Sequence, residues 1–381
     1  MTGRQKGSKA QRREGWSVFQ IGQRVPEPDL CERDFLVHAP PGAWQAQSRC
    51  LAASGDREGA GTRYADLEKR SKAKASASVV KSGAFMTLGF IGLGNMGRPM
   101  ASNLCRKGFP LVVHDINQEP VRALEQLGAR AARDVGDLAA SSDVVFTMLP
   151  DSAAVETVIA APDGVLARGR AGQTIVDMST IDPLVTDRLA SAAVAAGRAF
   201  ADAPVGRLAS HAERGESLFM VGASAETFAL VKPMLDAMGT TVHHCGAVGT
   251  GMRTKIVNNY LAIISCQLNA EAVALSQRFG LSLAKTLDVI HGTTATNGQL
   301  KLAWPAKVLK GDIEPGFTID LAHKDLTLIV QAGNAAKVPM PIAAAAREAF
   351  NAARAQGYGA KDFSAMVDVL CELAGIAKPR L

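Results

Sequence analysis

The 381-residue sequence is long enough for two domains of ordinary size, and its 47% hydrophobic residues can build a large core. The net charge of +6 comes from residues 1–85, which carry 15 Lys and Arg against 9 Asp and Glu, whereas residues 86–381 carry 27 of each. The main body therefore gives no sign of a nucleic-acid-binding surface, and its apolar runs are far shorter than the roughly 20 residues of a membrane-spanning helix.

Residues 1–85 differ from the rest of the chain. They are rich in Arg, Lys, Ser, Gln and Gly, and neither a helical nor a strand period persists in them. We expect this segment to be disordered or to lie upstream of the true start, because Met86 opens a sequence that reads at once as a folded domain. A chain that begins at Met86 is expected to fold and to be active.

Short apolar runs alternate with helical segments from Met86 onward. Strands are predicted at residues 88–91, 111–114, 144–149 and 174–178, and residues 96–107 have helical spacing that stops at a glycine. Strands that alternate with helices predict a Rossmann-type, doubly wound parallel sheet in an α/β domain. We assign this domain to residues 86–249.

The chain changes character after Gly249. Residues 252–279 contain neither Pro nor Gly, which predicts one helix about 42 Å long at 1.5 Å per residue. The remainder is rich in Ala and Leu, with loops predicted at residues 292–298 and 311–316. We therefore predict an all-α C-terminal domain over residues 250–381.

The cysteines and histidines show no metal-binding pattern. The six cysteines form no CxxC pair, and the seven histidines show no HExxH or similar spacing. His243 and His244 are adjacent on a predicted strand, so their side chains point to opposite faces. We expect no metal, and we expect reduced thiols in a cytoplasmic protein.

A GxGxxG motif follows the first predicted strand and opens the first helix. This context is typical of dinucleotide binding, because the glycines permit a tight turn and a close approach of the pyrophosphate, while the helix N-terminus supplies free amides. Asp115 stands at the end of the next strand, where a carboxylate binds ribose hydroxyls and repels a 2′-phosphate. No Arg occurs in residues 116–119 to bind such a phosphate, so we expect NAD rather than NADP. The predicted cofactor-binding residues are Gly92, Leu93, Gly94, Asn95, Met96, Gly97 and Asp115.

Lys255 and Asn259 lie four residues apart in the predicted long helix and therefore on one face of it, with Asn258 beside them. Most of their neighbours are apolar. A lysine in such surroundings either extends to solvent or has a lowered pKa, and in the second case it can donate a proton to a carbonyl oxygen during reduction. The residues alone leave both alternatives open.

Four motifs in this order resemble those of the β-hydroxyacid dehydrogenase family, which includes 3-hydroxyisobutyrate dehydrogenase. They are the glycine motif in residues 90–97, Asp-Ala-Pro-Val at 202–205, Gly-Thr-Gly at 249–251 with Lys-Ile-Val-Asn-Asn at 255–259, and Lys-Asp-Leu at 324–326. The resemblance covers residues 86–381. It implies an NAD(H)-dependent oxidoreductase that acts on a CH–OH group.

The resemblance also implies roles for individual residues, and Lys255 is the implied catalytic residue. The residues implied to contact substrate or cofactor are Asn258 and Asn259 on the same helix, Leu149 and Pro150 on the adenosine side, Thr180 near the nicotinamide, and Lys324, which closes over the cofactor from the helical domain.

The segment after Asp-Ala-Pro-Val departs from the family pattern. Most members carry Ser-Gly-Gly there, whereas this chain has Gly206, Arg207 and Leu208. A guanidinium has five donors in a planar fork and suits an anion with several oxygen atoms. The resemblance is strongest to members that reduce 3-sulfolactaldehyde to 2,3-dihydroxypropane-1-sulfonate, which implies that Gly206 and Arg207 bind a sulfonate. Those members have small polar residues where this chain has Leu208, Ala209, Ser210 and His211. Two hydroxyls that could help to bind a sulfonate are therefore missing, although Ser210 and His211 could substitute for them.

Other functions also fit the sequence. The substrate could be a carboxylate, namely 3-hydroxyisobutyrate or the semialdehyde of succinic, methylmalonic or tartronic acid. A different class is a non-catalytic relative that reads chromatin, which has a basic N-terminal region and lacks the catalytic lysine; the presence of Lys255 argues against it. The predicted partner is a small acidic aldehyde or hydroxy acid, without nucleic acid or membrane, and the long helical domain predicts a homodimer or homotetramer.

Overall fold

The computed structural model describes residues 86–381, so the predictions for residues 1–85 lie outside the described part of the chain. Short runs rich in Val, Ile, Leu and Phe form most of the strands, as expected for a buried sheet. The strands are β1 (Leu88–Ile91), β2 (Leu111–His114), β3 (Arg130–Ala131), β4 (Val144–Thr147), β5 (Thr174–Asp177), β6 (Ala199–Asp202), β7 (Val205–Gly206), β8 (Ser217–Gly222) and β9 (Gly239–Gly246).

The strands of residues 86–381 form one sheet in the order β3-β2-β1-β4-β5-β6-β8-β7, with β9 paired to β8. Every pair from β3 to β6 is parallel, which confirms the Rossmann-type fold. β8 runs antiparallel to β6 and β7, so this edge differs from the all-parallel sheet that the sequence predicted. The reason is that only residues 207–216 join β7 to β8, fewer than the dozen or more residues that a parallel crossover usually needs.

Helices cover both faces of this sheet. Their bounds are α1 (Gly97–Arg106), α2 (Gln118–Glu125), α3 (Val135–Ser141), α4 (Ser152–Ala160), α5 (Val165–Arg168), α6 (Pro183–Ala195), α7 (Ala209–Glu213) and α8 (Ala225–Met238). One face packs against α1 and α8 through residues such as Leu104 and Leu235, and the other packs against α3 and α4 through Leu138 and Ile159. β1 and β4 are therefore buried at every position, which explains their continuous apolar sequences.

The C-terminal part is helical and has its own core around Trp304 and Phe350. Its helices are α9 (Thr250–Arg278), α10 (Leu283–His291), α11 (Trp304–Ala306), α12 (Ile319–Ala335), α13 (Pro341–Ala353) and α14 (Met366–Ala374), with π-helical turns at Gln299–Ala303 and Arg354–Tyr358 and 3-10 turns at Val308–Lys310 and Phe363–Ala365. The 29-residue α9 confirms the predicted long helix. The domain boundary after residue 249 stays a prediction, since the described residues all belong to one compact unit. Among the helices of residues 86–381, none is long and apolar enough to cross a membrane.

Candidate active site

The glycine motif forms the turn between β1 and α1. Gly92 has a φ of +92°, in the left-handed region that favours glycine, and a Cβ there would clash with the carbonyl group of Met148. A Cβ on Gly97 would overlap the carbonyl oxygen of Gly92, so α1 packs against the turn only because residue 97 lacks a side chain. Gly94, at the tip of the turn, is exposed. The turn therefore presents bare backbone to any ligand above the sheet.

Within the described part of the chain, no side chain caps the N-terminus of α1, which begins after Met96 and the exposed Asn95. The following helices α2, α3 and α4 are capped by Asn117, Asp134 and Asp151. Uncapped amides at the end of a helix bind phosphate groups readily. Together with the glycine turn, they fit the pyrophosphate of a dinucleotide.

Asp115 lies at the end of β2 and is bonded to the glycine turn. Its Oδ2 accepts a hydrogen bond from the Leu93 amide at 2.5 Å, and its Oδ1 accepts one from the Asn117 amide at 2.7 Å. The carboxylate is thus fixed at the edge of the sheet where a ribose is expected. Arg98 on α1 also brings a cation to this edge, 3.7 Å from Glu119 on α2. The sequence of residues 116–119 does not reveal it.

Leu149 and Pro150 follow β4 at the same edge of the sheet. Leu149 is half-buried and its amide donates to Ser179 Oγ at 2.9 Å, whereas Pro150 is exposed. Ser179 and Thr180 follow β5, so the segments after two neighbouring strands are joined by this bond. The structure therefore brings Leu149, Pro150 and Thr180 to the edge that also carries the glycine turn.

Lys255 and Asn259 are buried on one face of α9, with 9% and 7% of their surfaces exposed, while Asn258 is exposed. The Lys255 Nζ donates to the carbonyl oxygen of Val205 at 2.8 Å, immediately before Gly206. Burial lowers the pKa of Lys255 to about 8, because the charged amine is removed from water. The sequence had left a solvent-exposed lysine open, and the structure shows a buried one.

Asp325 is bonded to Asn259 and paired with Lys324, and the sequence gave it no role of its own within the Lys-Asp-Leu motif. Asn259 Nδ2 donates to Asp325 Oδ2 at 2.6 Å, and Lys324 Nζ lies 2.9 Å from Asp325 Oδ1. Lys324 Nζ also donates to the carbonyl oxygen of Thr180 at 2.8 Å, so α12 reaches the edge of the sheet. The charge of Asp325 opposes the effect of burial on the pKa of Lys255, whereas that of Lys324 adds to it.

Asp202 fixes the start of α9 to the sheet. Its two carboxylate oxygens accept hydrogen bonds from the amides of Gly249 and Met252, each at 2.6 Å. Burial raises the pKa of Asp202 to about 6, and the two amide bonds oppose that rise. A Cβ on Gly251 would lie 2.8 Å from the Gly222 nitrogen, so the Gly-Thr-Gly motif lets the helix approach β8 closely. Asp202 is the Asp of the Asp-Ala-Pro-Val motif, but the motif alone does not predict that it binds the amides of Gly249 and Met252.

Arg207 adopts a left-handed backbone conformation with a φ of +72°. Its guanidinium donates to the carbonyl oxygen of Glu216, to Thr240 Oγ1 at 3.0 Å and to Thr241 Oγ1 at 3.2 Å. Residues 206–209, the segment after Asp-Ala-Pro-Val, form the predicted substrate loop. The structure brings the main chain at the base of this loop to Lys255 but directs the Arg207 side chain to the start of β9. Residues 86–381 contain no cluster of three or more His, Cys, Asp or Glu side chains that could hold a metal ion.

Comparison with known proteins identifies two matching family models. Residues 87–273 match the NAD-binding domain of 6-phosphogluconate dehydrogenase, and residues 249–370 match the NAD-binding domain of NADP-dependent 3-hydroxyisobutyrate dehydrogenase. The models overlap at the start of α9 and together cover the described fold. They show a nicotinamide-dependent enzyme of the hydroxyacid dehydrogenase type.

Individual relatives agree with these models. The chain is 41% identical over 289 residues to 3-sulfolactaldehyde reductase of Escherichia coli, which covers 76% of this chain and 97% of the relative. It is 38% identical over 290 residues to 2-(hydroxymethyl)glutarate dehydrogenase of Eubacterium barkeri, covering 76% and 96%. Among solved structures, 3-hydroxyisobutyrate dehydrogenase of Mycobacterium tuberculosis with L-serine superposes with a TM-score of 0.70 at 31% identity, covering 75% of this chain and 99% of that one.

Proposed function

The chain belongs to the β-hydroxyacid dehydrogenase family, and we propose that it uses NADH to reduce a small acidic aldehyde to its alcohol. The best candidate substrate is 3-sulfolactaldehyde, with 2,3-dihydroxypropane-1-sulfonate as the product. The observation that carries the proposal is the buried Lys255 amine, bonded to the carbonyl oxygen of Val205 at the base of the substrate loop. A proton donor in this position is what reduction of a carbonyl group needs.

Each active-site group has a part in this reaction. When bound, the reduced nicotinamide supplies the hydride for the aldehyde carbon. Lys255 donates the proton to the aldehyde oxygen, since a pKa of about 8 leaves the amine protonated at neutral pH and still able to release its proton. Asn259, held by Asp325, orients that oxygen, and the exposed Asn258 contacts the substrate beside it. Lys324, bonded to the Thr180 carbonyl, closes over the nicotinamide end of the cofactor.

We propose NAD(H) rather than NADP(H) as the cofactor. The fixed carboxylate of Asp115 suits the ribose hydroxyls and repels a 2′-phosphate. Arg98 is a cation near this end of the site, but the carboxylate of Glu119 lies 3.7 Å away and offsets its charge. Ile116, directly after Asp115, is 99% exposed and offers an apolar surface to the adenine ring. We propose the same role for Leu149 and Pro150, which follow β4.

The sulfonate substrate is supported by the positive charge of Arg207 and by the 41% identity to a 3-sulfolactaldehyde reductase. A carboxylate aldehyde is the second candidate, because a relative of 38% identity is named for a carboxylate substrate. NADH oxidation should be followed with 3-sulfolactaldehyde, with the semialdehydes of succinic, methylmalonic and tartronic acids, and with uncharged propanal. Turnover of acidic aldehydes far above that of propanal is expected, and equal turnover of propanal would contradict the proposal.

We also propose a homodimer or homotetramer located in the cytoplasm. α9 exposes Val257, Leu261, Leu268 and Leu275, and the last three are spaced by seven residues, as in helices that pack together. The four cysteines of residues 86–381 are free thiols, as expected in a reducing compartment. Light scattering of Leu268→Lys should show a smaller particle than the wild type, whereas Leu184→Lys on α6 should not change the mass.

A further inference from the structure

Arg207 carries a positive charge whose hydrogen-bond partners within residues 86–381 are all neutral. Its guanidinium donates to the main-chain carbonyl of Glu216 and to the hydroxyls of Thr240 and Thr241. The carboxylate of Glu216 is paired with Arg214 instead, at 2.8 Å. The charge of Arg207 contributes to a lowered pKa of the Glu216 carboxyl group, but no hydrogen bond or ion pair within residues 86–381 joins the two groups, so the guanidinium can form charge-assisted bonds with an external anion.

An irregularity in β9 brings both threonines to this guanidinium. β8 pairs Ser217 with Gly239 and Leu218 with Thr241, so Thr240 is an extra residue between two paired positions. Adjacent residues of a regular strand point to opposite faces, and a bulge changes that direction. The two hydroxyls therefore reach one side chain, at 3.0 and 3.2 Å.

This arrangement leaves several donors free. Arg207 has five N–H groups, of which the three recorded bonds use three. Each threonine hydroxyl accepts a bond from Arg207 and so keeps its own hydrogen to donate. The substrate loop itself offers apolar side chains at Leu208 and Ala209, so these two hydroxyls are a separate source of donors.

We propose that Thr240 and Thr241 determine specificity for the anionic end of the substrate, by holding the Arg207 guanidinium and by donating their hydroxyl hydrogens to a sulfonate. A sulfonate has three oxygens in a tetrahedral arrangement and can use donors from the guanidinium and from both threonines together. A planar carboxylate has two oxygens and uses fewer of them. The inference rests on the proposed reduction of an acidic aldehyde.

The test compares two double variants. One replaces both Thr240 and Thr241 with valine, and the other replaces both with serine and so keeps both hydroxyls. Steady-state kinetics are measured with 3-sulfolactaldehyde at saturating NADH. The valine variant should raise KM roughly tenfold or more and change kcat by less than about threefold, since the anion is bound equally in the ground and transition states. The serine variant should stay within about threefold of the wild type in KM. Thr157→Val, an exposed threonine on α4, is the matched control.

Three results separate the possible failures. An unchanged or lower KM in the valine variant overturns the role of the threonines. An equal rise in KM in the serine and valine variants overturns it as well. If the wild type does not reduce 3-sulfolactaldehyde, the substrate proposal fails, and the same variants are then measured with the carboxylate aldehyde that it does reduce. There a rise in KM supports the threonines and an unchanged KM overturns them. If the double valine variant does not fold, Thr241→Val and Thr241→Ser are compared in the same way.

Discussion

Lys255 donates a hydrogen bond from Nζ to the main-chain oxygen of Val205 at 2.8 Å, and both residues are buried. Three residues before Val205, Asp202 binds the amides of Gly249 and Met252 at the start of the helix that carries Lys255. The Asp-Ala-Pro-Val segment and α9 are thus joined at two points. A shift of either element would move the proposed proton donor relative to the proposed substrate loop.

Lys255→Met should remove activity and stabilise the protein. The loss of the proton donor should lower kcat by about 10²–10⁴-fold, while NADH binding, followed by fluorescence titration, should persist. The free energy of unfolding at pH 7 should rise by about 1–3 kcal/mol, because a buried amine with a lowered pKa is removed and the lost bond to Val205 offsets only part of the gain. Lys285→Met, at an exposed lysine on α10, is the control and should change neither quantity.

The same variant should show a defined pH dependence. The pKa of Lys255 falls from its ordinary 10.5 to about 8 on folding, so its contribution to stability is present above pH 10.5 and is lost as the pH falls through 8. The stability gain of Lys255→Met over the wild type should therefore be largest below pH 8, and near pH 10.5 it should give way to the small loss left by the missing bond to Val205. A difference that does not vary with pH would show that Lys255 is not a buried charge.

Asp325→Asn should move the alkaline limb of the pH profile. The carboxylate of Asp325 raises the pKa of Lys255 against the effects of burial and of Lys324, so its removal lowers that pKa further. Aldehyde reduction needs protonated Lys255, and the fall in kcat/KM at high pH should therefore begin at lower pH. Asp320→Asn on the same helix, at an exposed residue, should leave the limb in place. A limb that stays or moves to higher pH in Asp325→Asn contradicts the assignment.

Gly251→Ala should displace the catalytic helix. The added Cβ would lie 2.8 Å from both the Asp202 oxygen and the Gly222 nitrogen, and these backbone atoms cannot turn away as a side chain would. We expect a loss of about 1–3 kcal/mol in the free energy of unfolding and a lower kcat, with little change in the Kd of NADH. Gly298→Ala, at the start of the π-helical turn, is the control, because a Cβ there meets no atom within 4 Å. Wild-type kcat in Gly251→Ala would disprove the close packing of α9 on β8.

Asp115→Asn should weaken the preference for NADH over NADPH. The substitution keeps an acceptor for the Leu93 amide but removes the charge that repels a 2′-phosphate. The ratio of kcat/KM for the two cofactors should fall about tenfold or more. Asp134→Asn, at the cap of α3, should leave the ratio unchanged. A wild-type enzyme that already uses NADPH as well as NADH would refute the role of Asp115.

The sequence predicted the centre of the sheet closely. β1 and β2 begin and end where the apolar runs do, because buried parallel strands carry apolar residues at almost every position. The antiparallel pairing of β8 with β6 and β7 was not predicted, and neither was β9. β7 is two residues long and half of the residues of β9 are only partly buried, so neither gives a clear pattern.

The site was predicted as a set of residues but not as a network. The spacing of Lys255 and Asn259 placed them on one face of a helix but left a solvent-exposed lysine open, and the resemblance to the family implied their roles and that of Lys324. The partners that position them could not be predicted, because Asp325 binds a residue 66 positions away and Asp202 binds one 50 positions away. Thr240 was missed for the same reason, since only the fold brings it to the substrate loop.

The most direct test of the proposed function is the kcat/KM of the wild-type chain for 3-sulfolactaldehyde and for succinic semialdehyde, measured side by side with saturating NADH. Arg207 with its neutral partners should favour the sulfonate, and we expect its kcat/KM to be higher by about tenfold or more. A higher kcat/KM for succinic semialdehyde would contradict the sulfonate assignment and leave only the reduction of acidic aldehydes by a member of this family.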